Sequence, residues 1–346
     1  MSNHPATYEL LHDILKQVSR SFYLTLNVLP AGVRDQMGLS YLFARAADTI
    51  ADTDLIDRKR RLKYLNQFRA QFTTAEIDWK ILQEIQTALI PHQKDSAEAI
   101  LLQRLEDCLK LYAQFSAGDQ ERIQWLMGVL PDGMEMDLTR FPGESAGYLT
   151  ALSTLDELDQ YTYYVAGCVG EFWTRMVCAH RPAMAQWDVA KMSAIGVRFG
   201  KGLQLTNIVK DIARDLHHGR CYVPESLLQE ANLEPADLLV EANLPKFRPI
   251  LHRLIGLAME HLDHGWFYTM AIPRSEIRQR LACMWPILLA GETLRRVAIA
   301  PDLLNPAVNV KVPRSVVYRV MALTTLTRAN GYVATAYWAR LRKQFA

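Results

Sequence analysis

The chain has 346 residues, of which 50% are hydrophobic and 22% are charged, and its formal net charge is +2. A chain this apolar buries enough surface to offset the entropy of ordering, which excludes intrinsic disorder. So small a net charge supplies no broad positive field, and we expect no nucleic-acid binding. The longest apolar runs fall short of the ~20 residues of a membrane-spanning helix. We also expect neither a secretory signal nor a tail anchor.

Apolar residues recur at spacings of three and four along most of the chain, whereas alternating, strand-like patterns are nearly absent. Gly and Pro gather in short breaks, one of them from Pro131 to Gly147. The sequence therefore predicts an all-α fold in a single domain spanning residues 1–346. Its five scattered cysteines form no Cys-x-x-Cys pair and favour free thiols in a reducing cytoplasm.

The segment from 38 to 53, GLSYLFARAADTIADT, predicts a helix with a narrow polar stripe on an otherwise apolar surface. The stripe comprises Tyr41, Arg45, Asp48 and Asp52. Carboxylates four residues apart repel each other unless a cation lies between them. A local ion pair between Arg45 and Asp48 is one explanation.

The segment from 200 to 215, GKGLQLTNIVKDIARD, repeats this arrangement. Its polar stripe comprises Gln204, Asn207, Asp211 and Asp215. A pair of Lys210 or Arg214 with Asp211 would again account for the acidic residues locally. Two polar stripes in apolar helices nevertheless favour a shared internal cavity over bulk water.

Four carboxylates around one cavity cannot all stay ionised without cations. Oxygen ligands at this density suit Mg²⁺, which also bridges to phosphate oxygens. We therefore predict that the four aspartates bind Mg²⁺ and that the metal stabilises a departing diphosphate. An apolar cavity behind them would hold the hydrocarbon part of an allylic diphosphate and its carbocation.

Four sequence blocks resemble the squalene/phytoene synthase family in order and spacing. They cover residues 19–22, 41–52, 161 with 165–170, and 203–215 followed by Gly219, Arg220 and Pro224. The resemblance is strongest over residues 10–225 and is closest to soluble bacterial squalene synthases. It implies an all-α isoprenoid-synthase domain with a central cavity. It also implies head-to-head (1'-1) condensation of two farnesyl diphosphates through presqualene diphosphate.

The resemblance also implies roles for individual residues. Asn207 would assist the Mg²⁺ site, and Tyr161 would assist deprotonation or steer the cation, unless it is a buried tyrosine with a satisfied hydroxyl. Gly167 and Gly170 would either allow close helix packing or open space for a prenyl chain, and the resemblance favours the second. The substrate-binding residues would be Ser19, Arg20, Ser21, Phe22, Tyr41, Arg45, Gln204, Asn207 and Arg220. NADPH would lie near Arg20, Arg45, Lys210, Lys311 and Arg314.

The family divides on the second half-reaction. Squalene synthases reduce the cyclopropyl intermediate with NADPH, whereas phytoene and dehydrosqualene synthases lose a proton. Residues 15–52, the segment 283–286 before a predicted helix and the segment 310–312 resemble squalene synthases, while 203–207 and 219–224 resemble the carotenoid branch. We expect a squalene synthase, with phytoene, dehydrosqualene or presqualene diphosphate synthase as alternatives.

Two positions depart from the family pattern. Lys210 stands where the family usually has Arg, so a bidentate phosphate contact becomes a point charge. Ala51 stands where animal and fungal squalene synthases carry an acidic residue, which leaves two carboxylates in the first motif.

A non-catalytic isoprenoid-binding subunit is the alternative outside the enzymes, and the two intact acidic stripes argue against it. An oil-soluble product predicts a cytoplasmic protein with peripheral contact to the inner membrane face. The sequence does not locate a docking face, and it does not predict an oligomeric state.

Overall fold

The computed structural model describes residues 5–19, 22–74 and 76–345, and this part of the chain is built almost entirely of helices. The α-helices are α1 Pro5–Tyr8, α2 Leu15–Ser19, α3 Tyr23–Val28, α4 Ala31–Asp52, α5 Arg58–Ala70, α6 Trp79–Leu89, α7 Ser96–Gln103, α8 Leu105–Tyr112, α9 Ala117–Arg140, α10 Leu155–Thr162, α11 Cys168–His180, α12 Val189–His217, α13 Glu225–Glu230, α14 Leu244–Ala271, α15 Ile277–Ile299, α16 Arg314–Leu326 and α17 Gly331–Arg342. The predicted all-α class is confirmed.

Short elements connect the long helices. Two π-helical segments, Glu9–Ile14 and Tyr163–Gly167, join α1 to α2 and α10 to α11. Single 3₁₀ turns occur at Ile90–His92, Ala146–Tyr148, Pro182–Met184, Pro235–Leu239 and Glu241–Asn243. Strands β1 Thr150–Ala151 and β2 Arg220–Cys221 pair in parallel, with Thr150 opposite Arg220. This small ladder fixes the backbone that presents Arg220.

Side-chain caps set the starts of two long helices. The Ser116 hydroxyl accepts the Asp119 N–H at 3.2 Å before α9, and the Asp188 carboxylate accepts the Lys191 N–H at 3.1 Å before α12. Each cap satisfies a donor that has no partner within the helix. Two apolar clusters fill the interior, one around Phe43 and the other around Phe247.

Two sequence predictions about helix boundaries are wrong. Pro131 lies buried inside α9, which continues to Arg140, although the sequence predicts a break from Pro131. A proline in a helix interior costs about 3 kcal/mol, and the packing of α9 on α4, α5 and α11 offsets this cost. Likewise, Cys283 and Pro286 lie inside α15 rather than before a helix.

Helices α11 and α12 approach each other at glycines. A methyl group on Gly170 would lie 1.9 Å from the Gly196 carbonyl oxygen, and one on Gly200 would lie 2.1 Å from the Ala166 carbonyl oxygen. Neither space is available to a side chain, because both obstacles are backbone atoms. Gly170 also borders the cavity described below, so the close packing that it permits shapes that wall.

We expect Gly170→Ala to destabilise the protein by about 1–3 kcal/mol or more, because the helices must separate to admit the methyl group. Gly128 in α9 is the matched control, since a methyl group there meets no atom within 4 Å. Gly128→Ala should be neutral or stabilising. Urea unfolding of both variants measures the difference, and equal stabilities would contradict the packing role of Gly170.

Candidate active site

A cavity of about 590 Å³ lies between helices α3, α4, α9, α11, α12, α14, α15 and α16. Its walls are mainly apolar, and its volume is typical of a small-molecule site. Apolar and aromatic lining residues include Phe22, Tyr41, Leu126, Leu130, Val165, Val169, Phe172, Trp173, Phe199, Tyr268, Trp285 and Met321. Polar lining residues of α4 and α12 are Ser40, Gln204, Thr206, Asn207 and Lys210. The two predicted acidic helices therefore border one cavity.

The first acidic pair lies near the end of α4. The Arg45 guanidinium bonds the Asp48 carboxylate at 2.7 Å and the Glu98 carboxylate at 2.5 Å. Asp48 keeps 41% of its side-chain surface accessible. The four aspartates themselves are not among the residues that line the cavity. Asp52 pairs with Arg220 at 3.2 Å.

The second acidic pair lies towards the end of α12. Lys210 Nζ is 3.1 Å from Asp211, and the Arg214 guanidinium is 3.5 Å from Asp211 and 3.9 Å from Asp215. The local ion pairs that the sequence suggests are therefore present in both motifs. They coexist with the cavity and do not replace it as an explanation.

The charges of the site remain unbalanced despite these pairs. Burial raises the pKa of Asp48 to about 7, and the neighbouring Asp52 carboxylate adds to the shift. Burial also raises the pKa of Asp215 to about 7, with Asp211 acting in the same direction. Arg220 lies close enough to lower the pKa of both Asp48 and Asp215. Its positive charge therefore acts on one carboxylate of each motif.

These carboxylates fit a Mg²⁺ site in which the protein supplies some of the ligands, and substrate phosphates and water supply the others. Within the described ranges, no three His, Cys, Asp or Glu side chains lie close enough to hold one ion alone. Mg²⁺ usually keeps several waters and is bound by one or two carboxylates together with substrate phosphates. An acidic pair on each of two helices supplies that donor set, and the raised pKa values of Asp48 and Asp215 mark negative charge that a cation would stabilise.

We expect Asp215→Asn to raise the melting temperature of the metal-free protein at pH 8. The folded-state pKa of Asp215 lies above its ordinary value, so its contribution to stability is present below about pH 4 and is lost as pH rises through about 7. Asparagine cannot ionise, so the variant does not lose this stability as the pH rises. Differential scanning fluorimetry at pH 5 and pH 8 tests the sign, and a variant less stable than wild type at pH 8 would contradict it.

Tyr161 belongs to a buried network that sequence reasoning missed. Asp137 on α9 accepts hydrogen bonds from the Tyr161 hydroxyl at 3.1 Å and from the Tyr222 hydroxyl at 3.0 Å. The two phenol rings stack at 4.7 Å, and Arg220 lies 3.9 Å from Asp137. Burial raises the pKa of Asp137 to about 7. The Tyr161 hydroxyl is therefore satisfied and is linked through Asp137 to the same arginine that pairs with Asp52.

Of the other residues predicted to bind substrate, some line the cavity and one does not. Phe22 stacks on Tyr41 at 5.6 Å within the cavity lining, together with Gln204 and Asn207. The Ser19 hydroxyl instead donates to the Leu15 carbonyl of its own helix. Arg20 and Ser21 lie outside the described residues, so their predicted roles stay predictions.

The predicted NADPH contacts separate into two groups. Lys210 lines the cavity, and Arg45 lies beside Asp48. Lys311 and Arg314 are exposed before and at the start of α16, and among the described residues they are not part of the cavity lining. Their role towards a cofactor stays a prediction.

Comparison with known proteins assigns the family. The family model for squalene/phytoene synthases matches residues 15–316. The chain belongs to the squalene/phytoene synthase family. The resemblance predicted from the four sequence blocks is thereby confirmed at the family level, and this is a family of head-to-head prenyltransferases.

Curated relatives come from both branches of the family. The squalene synthase of Schizosaccharomyces pombe is 25% identical over 314 residues, which cover 91% of this chain and 65% of the relative. The bifunctional lycopene cyclase/phytoene synthase of Arthroderma gypseum is 29% identical over 247 residues, covering 71% of this chain and 39% of the relative. The chain thus spans less than two thirds of the length of these relatives.

Solved structures share the fold. TcSQS in complex with the ligand BPH1237 superposes with a TM-score of 0.80 at 21% identity, covering 98% of this chain and 91% of that one. A dehydrosqualene synthase in complex with a ligand superposes with a TM-score of 0.62 at 19% identity, covering 93% and 96%. Both belong to the all-α isoprenoid-synthase fold.

Two further findings concern the cysteines and the helix lengths of the described residues. All five cysteines are free, and four of them are buried. No described helix combines the length and the apolar character needed to cross a membrane.

Proposed function

We propose that this chain condenses two farnesyl diphosphates head to head through presqualene diphosphate and then reduces this intermediate to squalene with NADPH. One observation carries the proposal: an apolar cavity is bordered by two helices, each bearing a pair of aspartates next to cationic side chains. A prenyl diphosphate has the matching chemistry, with a highly charged anionic head on a hydrocarbon chain.

The diphosphate would bind where the charges meet. Asp48, Asp52, Asp211 and Asp215, with Asn207, would hold Mg²⁺, which neutralises the leaving group when bound. Arg45 and Arg220 already lie beside Asp48 and Asp52, where they would donate hydrogen bonds to diphosphate oxygens. Lys210 would add a point charge on the opposite helix.

The first half-reaction breaks one C–O bond, and its electron pair leaves with diphosphate. The double bond of the second substrate attacks the allylic cation, and loss of a proton closes the cyclopropane ring. In the second half-reaction the remaining diphosphate would depart and the rearranged cation would be reduced. NADPH, held near Arg45 and Lys210, would supply the hydride when bound. Each step needs a site that stabilises a cation and offers it no nucleophile.

The apolar and aromatic part of the cavity wall supports this proposal. The aromatic rings of Phe22, Tyr41, Trp173 and Phe199 line it, and their faces attract cations. Cys283 also lines it, but burial raises the pKa of its thiol well above the ordinary range. The neutral thiol is a poor nucleophile, so it would not trap the carbocation.

A carotenoid-type reaction is the second candidate. The phytoene synthase relative is 29% identical over 247 residues, and the squalene synthase relative is 25% identical over 314 residues, so the two are about equally close to this chain. In that case the cation would lose a proton and NADPH would not be used. The exposed positions of Lys311 and Arg314 are consistent with this alternative.

Product analysis by gas chromatography–mass spectrometry tests the proposal. The purified protein is given farnesyl diphosphate with Mg²⁺, with and without NADPH, and a reaction lacking Mg²⁺ is the control. Squalene formed only with NADPH is the expected result. Dehydrosqualene formed under both conditions would assign the carotenoid branch, and presqualene diphosphate or an alcohol under both would show that the reductive step is absent. No coupled product from farnesyl or geranylgeranyl diphosphate would contradict the head-to-head reaction itself.

A further inference from the structure

The end of α4 that carries Asp48 and Asp52 is electrostatically unfavourable. A helix dipole places partial negative charge at the carboxyl end of a helix, where cations are stabilising and carboxylates are not. Helix α4 ends at Asp52 and has no Lys or Arg in its last turn. The negative charge of the first acidic pair therefore adds to that of the helix end, and cations from other elements must offset both.

Arg61 of α5 supplies one of these cations. Its Nη1 donates a hydrogen bond to the carbonyl oxygen of Ala51 at 3.0 Å, and Ala51 directly precedes Asp52. The carbonyls in the last turn of a helix have no partner within the helix. Arg61 satisfies one of them from a buried position, since the residue is only 3% exposed. It thereby fixes the backbone from which the Asp52 side chain projects.

The other amino group of this guanidinium bonds a different part of the chain. Nη2 of Arg61 donates to the carboxylate of Glu144, a residue whose side chain is 40% exposed. Glu144 lies between the end of α9 and the 3₁₀ turn at Ala146–Tyr148. A single buried side chain therefore joins the end of α4 to the segment that follows α9.

That segment packs directly beside Arg220. Gly219 adopts a φ of 79°, and a methyl group on it would lie 2.9 Å from the carbonyl oxygen of each of the two residues that flank Glu144. The next residue, Arg220, pairs with Asp52 at 3.2 Å. Arg61 therefore supports both partners of this ion pair, one through the neighbouring carbonyl and the other through Glu144.

We propose that Arg61 is a positioning residue for the first acidic motif. It is not among the residues that line the cavity, so it acts through the backbone of α4 and through Glu144. An ion pair with a buried partner often adds little net stability, and the Nε of Arg61 is buried without a partner among the described residues. Its main effect is to keep the Asp52 carboxylate and the Arg220 guanidinium together, so that one can bind Mg²⁺ and the other the diphosphate. This inference rests on the function proposed above for these two residues.

Calorimetric titration with inorganic diphosphate at a series of Mg²⁺ concentrations tests the inference on the whole protein. The quantity measured is the Mg²⁺ concentration that gives half-maximal binding. We expect Arg61→Gln to raise it about 10- to 100-fold, as is usual when a group that supports a metal ligand is removed. Arg61→Lys should have an intermediate effect, because an ammonium keeps the charge but lacks the planar fork that bridges two acceptors.

Glu144→Ala is a second variant that leaves the buried guanidinium and its bond to Ala51 in place. It should also raise the Mg²⁺ requirement, and it decides the question if Arg61→Gln does not fold. The double variant should be no worse than Arg61→Gln alone, because the two residues act through one bridge. Lys63→Gln is the matched control on α5, since Lys63 is exposed and pairs with Glu84 at 2.8 Å, and it should bind like the wild type.

The outcomes separate this inference from the function on which it rests. A wild-type protein that binds no diphosphate with Mg²⁺ would overturn both. Normal wild-type binding with an unchanged Mg²⁺ requirement in the Arg61 and Glu144 variants would overturn the positioning role alone, and a lowered melting temperature in those variants would then assign Arg61 to stability. Additive effects in the double variant would show that the bridge does not act as one unit and would also contradict the inference.

Discussion

Replacing Asp48 or Asp211 with asparagine is expected to lower kcat/KM by roughly 10²- to 10³-fold or more, which is the size of effect seen when a group that stabilises developing charge is removed. Asparagine keeps the shape of the side chain but removes the charge that would bind Mg²⁺. The fold should survive, because burial already disfavours the charged form of Asp48. Steady-state release of inorganic diphosphate from farnesyl diphosphate measures the effect.

Asp54→Asn is the matched control for this experiment. Asp54 follows α4 only two residues after Asp52, but it is exposed and pairs with Lys94 at 2.6 Å. Its replacement should leave activity close to wild type, since an exposed ion pair contributes little. Full activity in Asp48→Asn or Asp211→Asn would show that the acidic pairs are local ion pairs without a metal role.

Replacing Asp137 with asparagine is expected to cost about 1–3 kcal/mol of stability and to lower kcat at least tenfold. The carboxylate accepts hydrogen bonds from both Tyr161 and Tyr222, whereas an amide offers one oxygen and turns a donor group towards the second hydroxyl. An unsatisfied buried polar group accounts for the stability loss. Arg220 also loses a neighbouring negative charge, so its position beside Asp52 should relax and kcat should fall.

Glu135→Gln on the same helix is the control for Asp137→Asn, because Glu135 forms no ion pair among the described residues. A double-mutant cycle with Tyr161→Phe separates the effects on kcat. Since Asp137 and Tyr161 are joined directly, the losses in kcat should be strongly non-additive. Additive losses, or a stability change without any change in kcat, would limit Asp137 to a structural role.

The acidic helices were predictable from the sequence because the helical period places their polar residues on one stripe. In both cases the stripe belongs to a helix whose remaining positions are apolar, and a repeated Asp-x-x-x-Asp made the coincidence visible. The all-α class followed from the same periodicity. Ordered blocks of matching residues then identified the family.

Asp137 could not be found in the same way. Pro131 suggested the end of a helix, so the segment containing Asp137 was interpreted as a break and no helical face was assigned to it. The structure continues α9 to Arg140, which brings Asp137 beside two tyrosines that are distant in sequence. Such a contact depends on tertiary packing, and no sequence signal separates Asp137 from the neighbouring acidic residues Asp132 and Glu135.

Gly170 shows a similar limit. The family resemblance favours a role for Gly170 in lining the cavity, and the structure places Gly170 at the cavity wall. The stronger constraint is the Gly196 carbonyl oxygen directly against it. Both explanations considered from the sequence therefore apply, but only coordinates show that helix packing forbids a side chain.

Calorimetric titration with inorganic diphosphate tests the central claim most directly, because it isolates the two acidic pairs from all later chemistry. The wild type and Asp54→Asn should bind diphosphate when Mg²⁺ is present and should bind it far more weakly when Mg²⁺ is withheld. Asp48→Asn and Asp211→Asn should each lose the Mg²⁺-dependent part. Tight binding without Mg²⁺, or unchanged binding in both variants, would contradict a site in which aspartates on two helices hold a metal-bound diphosphate.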